Sequence, residues 1–106
     1  MSNSYLTEQG EVVRAALLDS IVEISLRESG SLKALAQITI PGVLEINGIR
    51  ISDSEHDDLW VQFPSFKTGF KYSNAVYFLD EDLTKEMKQK IKEKYFQIYE
   101  GHTAEF

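Results

Sequence analysis

The 106-residue chain contains no cysteine. That excludes disulfides and thiolate metal sites, and it fits a reducing compartment. Proline occurs only 2 times and glycine 6 times, so no proline- or glycine-rich linker divides the chain and no second domain is expected. No apolar run approaches the length of a membrane span, and the first residues carry neither a basic start nor a long apolar stretch. The expected location is therefore cytoplasmic, with no membrane partner. Positive charge is in deficit: 11 Lys and Arg face 17 Asp and Glu, for a formal net charge of −6 and a pI near 4.8. Such a balance excludes a phosphate-binding surface spread over the whole molecule. It leaves room only for cations gathered on one face, where local potential outweighs the sum. What is present is a hydrophobic share of 42% and an aromatic share of 11%, the composition of a globular chain with a modest single core.

Hydrophobic periodicity organises the sequence. Residues Glu8–Leu18 place Val12, Ala15, Ala16 and Leu18 near helical spacing, which predicts a short helix weakened by Gly10, or else a loosely docked arm. Residues 21–27 alternate, with Ile24 and Leu26 on one face, and predict a strand followed by a turn over 28–31. Ala34, Ala36, Ile38 and Ile40 share one face of the next strand, which Pro41-Gly42 turns back. Leu44 and Ile46 resume the apolar side, but after Asn47-Gly48 the parity changes and Ile49 and Ile51 carry it. One extra residue inverts every later side chain, so a β-bulge is predicted there. After a polar loop over 52–57, Leu59, Val61 and Phe63 form a buried face with Trp60 and Gln62 opposite.

Residues 66–74 read as a loop or loose hairpin around Gly69, and residues 75–79 as a last strand. Thr84 is the expected N-cap of a final helix, and Gly101 its C′ end. Leu83, Met87, Ile91, Tyr95 and Ile98 form the apolar stripe of that helix. Residues 1–20 would be an N-terminal extension, possessing frayed first residues 1–3, with a domain over 21–101 and a tail over 102–106.

Several groups of residues carry a resemblance when taken in order. Lys33, Ala34, Ala36, Ile38 and Thr39 precede Ile46, Gly48, Ile49, Arg50 and Ile51. Leu59, Trp60, Val61, Phe63, Pro64 and Ser65 follow, with Lys67 two residues on, then Gly69, Tyr72 and Asn74. The last helix opens on Thr84, Lys85, Glu86 and Lys88 and closes near Tyr99 and Glu100. From Ile21 to Glu100 the chain resembles the stage V sporulation protein G family, small bacterial septation regulators that bind nucleic acid. The segment before Ile21 has no counterpart in that resemblance. The resemblance implies an α+β fold: a small curved, mostly antiparallel sheet packed on a C-terminal helix and paired into a homodimer through its strands. It also implies a DNA- or RNA-binding protein acting in transcription regulation.

The last helix holds Lys85, Lys88, Lys90, Lys92 and Lys94. At 3.6 residues per turn Lys85, Lys88 and Lys92 fall on one side with Phe96 and Tyr99, while Lys90 and Lys94 flank the other edge of the apolar stripe. Cations beside aromatics can hold phosphates and stack bases; a solvated helix face is the plain alternative. Arg50, Lys67 and Lys71 would extend the patch from strand and loop, or are ordinary surface charge. Trp60, the single tryptophan, could stack a base or anchor a partner, but burial in the dimer or beneath the helix is the expectation. The acid-rich run Asp53, Glu55, His56, Asp57 and Asp58 lacks the glycine and spacing of an EF-hand loop. His56 and His102 make no metal-ligand spacing, so neither metal nor cofactor is expected. A nucleophile elbow and a P-loop are both missing, and no enzymatic activity is expected. A second reading keeps the scaffold but engages a basic protein partner through the acids of 53–58 and 80–82, even imitating nucleic acid toward it.

Overall fold

A computed structural model describes residues 7–53 and 59–104. The predicted fraying of residues 1–3, most of the acid-rich loop (residues 54–58) and the side chain of His102 lie outside the described residues. The chain runs α1 (Glu8–Leu18), β1 (Ile21–Ser29), β2 (Leu32–Ile40), β3 (Leu44–Asp53), β4 (Leu59–Gln62), β5 (Ser65–Thr68), β6 (Lys71–Asn74) and α2 (Glu81–Ala104). Strands β1 to β4 form one antiparallel sheet in sequence order, and β5 and β6 form a separate antiparallel hairpin. The fold is the expected α+β arrangement of an antiparallel sheet packed on the C-terminal helix.

Local chemistry sets the two reversals of β2 and β3. The turn between them carries Pro41 and then Gly42 at φ +75°, and the Val43 amide donates to the Ile40 carbonyl at 2.9 Å. Proline presets the first central residue and glycine takes the left-handed second one, the chemistry of a type II turn. Further along, Ala36 lies opposite Ile49 while Ile38 lies opposite Ile46, so β3 holds one more residue than β2 across this stretch. Gly48, at φ +76°, absorbs the extra residue. This is the predicted bulge, and it returns Ile49 and Ile51 to the core face, where both are fully buried.

The core is the space between one sheet face and α2. Ala34, Ala36, Ile38, Ile49, Ile51 and Val61 come from the sheet, and Leu83, Met87, Ile91 and Tyr95 from the helix. Ala34 and Ala36 add little side-chain volume over β2, and the buried Ile38, Ile49 and Ile51 fill the space beside them. The helix meets β1 on one flank and β4 on the other, so the sheet curls around it. Leu17 of α1 joins the same core. Residues 8–18, which precede the family resemblance, are thus a helix whose Leu17 packs on the core.

Three expectations are corrected. The cap of α2 is Asp80, whose Oδ1 accepts from the amides of Asp82 at 2.9 Å and Leu83 at 3.3 Å. Thr84 sits inside the first turn, its hydroxyl donating to the Asp80 carbonyl at 3.1 Å. A carboxylate at the start of the helix satisfies two orphan amides and opposes the positive end of the dipole, which a threonine one turn later cannot do. The helix also continues through Gly101 to Ala104, because a single glycine weakens a helix without ending it. Finally, residues 75–79 form no strand. The amides of Ala75 and Val76 donate to the Pro64 carbonyl at 2.9 and 3.4 Å, and Phe78 packs edge-on against Phe63 at 5.0 Å. The segment is pinned by one carbonyl and one ring, and among the described residues no neighbouring strand completes a ladder with it.

Candidate nucleic-acid interface

The site is built around the edge strand β4. Antiparallel pairing places Arg50 opposite Gln62, Ser52 opposite Trp60, and Leu35 opposite Arg50. Directly paired residues share a face, so Arg50, Gln62 and Trp60 lie together on the side of the sheet away from α2. Trp60 is 63% exposed, which overturns the expected burial beneath the helix. The helix takes up the other face, where Val61 points.

Two hollows adjoin at Gln62 and Phe63. One is lined by Trp60, Asn74, Tyr77, Thr84 and Lys88, and runs between the β4 edge and α2. The other is lined by Leu35, Arg50, Pro64, Ser65 and Tyr72, and opens on the sheet face. Tyr72 and Tyr77 are exposed like Trp60, at 72% and 68%. Lys67 pairs with Tyr72 across the hairpin, so it stands on the same hairpin face. Lys71 pairs with Thr68 and stands on the opposite one with Phe66.

On α2, Lys85 and Lys92 lie one turn to either side of Lys88 on the same flank, Lys85 exposed and Lys92 half-buried. Phe96 and Tyr99 continue that flank, each about half exposed. Tyr99 stacks on Tyr95 at 5.8 Å, and burial pushes the Tyr95 hydroxyl above the usual phenol range. Among the described residues, Lys85, Lys88, Arg50, Lys67 and Lys71 have no carboxylate within 4.0 Å. Of the sequence-predicted cations, Lys88 and Arg50 line the two adjoining hollows, Lys85 and Lys92 share the helix flank of Lys88, and Lys67 and Lys71 stand on opposite faces of the hairpin. Tyr77 and the neighbourhood of Tyr72 were not legible beforehand. The only signal was an excess of aromatics in a segment of weak periodicity.

Elsewhere, charge is used to hold the fold. The Arg14 Nε donates to Asp80 Oδ2 at 3.0 Å, and its Nη2 reaches Glu86 at 3.5 Å. The hydrogen bond from Arg14, helped by the Leu83 and Asp82 amides and opposed by partial burial, holds the Asp80 carboxyl below the usual range. Lys33 pairs with Asp53 at 3.3 Å, and that hydrogen bond pushes the lysine above its ordinary value. Lys90 Nζ donates to the Leu18 carbonyl at 2.6 Å, closing α1 onto α2. Among the described residues no helix is long and apolar enough to cross a membrane.

No curated protein and no solved structure matches the chain. The profile of one family does, over residues 19–97, from the end of α1 to the penultimate turns of α2. That span holds the whole sheet, the hairpin and every sequence-predicted cation named above. The chain belongs to the SpoVG family, and its membership points to a bacterial regulator related to septation and sporulation.

Proposed function

We propose that the protein is a nucleic-acid-binding regulator that acts as a homodimer, by binding and without catalysis. The observation that carries this reading is the pair of adjoining hollows at β4, one lined by Lys88 and the other by Arg50, beside the exposed Trp60, Tyr72 and Tyr77 on an otherwise acidic molecule. Affinity would come from phosphate neutralisation and counterion release. The acidic alternative has less to stand on. Asp53 and Asp80 are engaged by Lys33 and Arg14, so these acids serve the fold before any partner.

The second copy would pair through the hairpin. Phe66 is half exposed and Phe70, at the tip, fully so. A two-stranded hairpin is marginal alone, and apolar rings on its outer side gain by being covered. Phe66 stands on the face opposite the one that bears Lys67 and Tyr72, so pairing through it leaves that second face open.

The test is anisotropy titration of labelled oligonucleotides at low and moderate salt, with mass in solution measured by sedimentation. Binding at low salt that weakens as salt rises is expected, and Arg50→Gln should flatten the salt slope by about 0.7 to 0.9. A folded protein that binds no oligonucleotide at low salt would remove the reading. Phe70→Ser is expected to shift the sedimenting species toward monomer.

A further inference from the structure

The two adjoining hollows at β4 constrain the kind of nucleic acid, given the reading above, on which this inference rests. We propose that the ligand is a single strand, with bases stacked on Trp60 and Tyr72 and its backbone held by Arg50, Lys67 and Lys88.

The argument has three parts. First, the aromatic faces are available: Trp60 and Tyr72 are 63% and 72% exposed, and each lines a hollow that holds a cation, Lys88 in one and Arg50 in the other. Gln62, common to both hollows, sits between them with an amide able to donate to or accept from a base edge. An aromatic platform beside cations is of use to an unstacked base and of little use to a duplex, whose bases already stack on each other.

Second, α2 is not placed to enter a duplex groove. A recognition helix projects into the major groove with its reading face free. Here Leu83, Met87, Ile91 and Tyr95 are buried on the sheet, and Lys88 and Lys92 are themselves half-buried. The helix offers one flank level with β4, which suits a backbone passing along it.

Third, charge on the open sheet face is divided. Glu45 is held by Gln37 at 2.8 Å and by Asn47 at 2.7 Å near the β2–β3 turn, and Glu23 lies out on β1. Arg50 lies on β3 beside the β4 hollows, while Arg27 on β1, at the other edge, is turned to the Ser25 hydroxyl and the Leu26 carbonyl. The potential at the β4 hollows draws a strand along that side.

Trp60 makes the test direct, because it is the single tryptophan and its fluorescence reports stacking. The wild-type protein is titrated with a mixed-sequence single strand of about 15 nucleotides and, separately, with the blunt duplex of the same sequence, at about 50 mM salt. The expected result is quenching by the single strand, with affinity at least about tenfold above that for the duplex. Trp60→Ala should weaken single-strand binding about tenfold and Trp60→Phe much less, while circular dichroism and melting temperature stay unchanged. Duplex binding as tight as single-strand binding, with tryptophan emission unaffected, overturns this inference and leaves the nucleic-acid reading standing. Failure of folded protein to bind either oligonucleotide overturns both.

Discussion

The two flanks of α2 carry the same residue type and put it to different uses. On the flank toward β1, Lys90 donates to the Leu18 carbonyl, and Arg14 of α1 reaches Asp80 and Glu86 of the same helix region. On the flank toward β4, Lys88 lines a hollow with Trp60 and Tyr77 and has no carboxylate within 4.0 Å among the described residues. A helical wheel assigns lysines to flanks. The neighbour across the flank then decides whether a lysine closes the fold or stays open to a ligand. One flank meets a helix end with an orphan carbonyl, and the other meets an edge strand with an exposed indole.

The comparison breaks most completely if the helix is unseated, since both flanks then go together. Met87 is fully buried at the centre of the α2 stripe. Met87→Ala should destabilise the protein by about 2–5 kcal/mol through lost transfer energy and a residual cavity. Urea denaturation measures it, and the loss of α1 protection and of oligonucleotide binding should follow the same transition. A destabilisation below about 1 kcal/mol would mean that the stripe is not the core the burial pattern implies.

The β1 flank can be loosened by itself at Asp80, where three donors meet one carboxylate. Its folded-state pKa is lowered, chiefly by the hydrogen bond from Arg14. The unfolded group titrates near its ordinary value, about 3.9. Stability from this carboxylate is therefore fully present above that value and is lost as pH falls through the lower folded-state value. Asp80→Ala, which removes both cap and ion pair, should lower the melting temperature by about 5 °C at neutral pH. Asp80→Asn keeps an acceptor for the amides and should lose less. Both differences from wild type should shrink as pH drops below about 4. A gap that persists unchanged at low pH would show that ionisation of Asp80 contributes nothing.

The same contrast explains what was legible in the sequence. The β2–β3–β4 sheet and the buried stripe of α2 could be read because apolar residues repeat at period two or 3.6 and Pro41-Gly42 and Asn47-Gly48 punctuate them. Even the face switch at Gly48 showed as a parity change. The α2 start was misread because a threonine and an aspartate four residues apart are both good caps, and only Arg14, distant in sequence, favours the aspartate. Residues 75–79 were misread because an apolar run implies a strand only where a partner edge exists, and that depends on tertiary placement. Trp60 was placed on the right strand face, but its exposure depends on which face the helix chooses. The cations of the site could be named from the sequence; their alignment with Tyr72 and Tyr77 needed the hairpin to fold back beside β4.

The finest test exchanges the fates of two lysines two positions apart. Lys90→Met keeps the apolar stem and removes the donor to Leu18, leaving that carbonyl without its 2.6 Å partner. The expected loss is about 1 kcal/mol, seen as faster hydrogen exchange in α1, with oligonucleotide affinity unchanged. Lys88→Met should do the reverse: α1 exchange stays as in wild type, while single-strand binding weakens and its salt slope falls by about 0.7. The double variant should show the two effects added, because the flanks face opposite edges of the sheet and share no partner. If Lys90→Met weakened binding as much as Lys88→Met, the ligand would have to reach both flanks, and the β4 edge would no longer define the site.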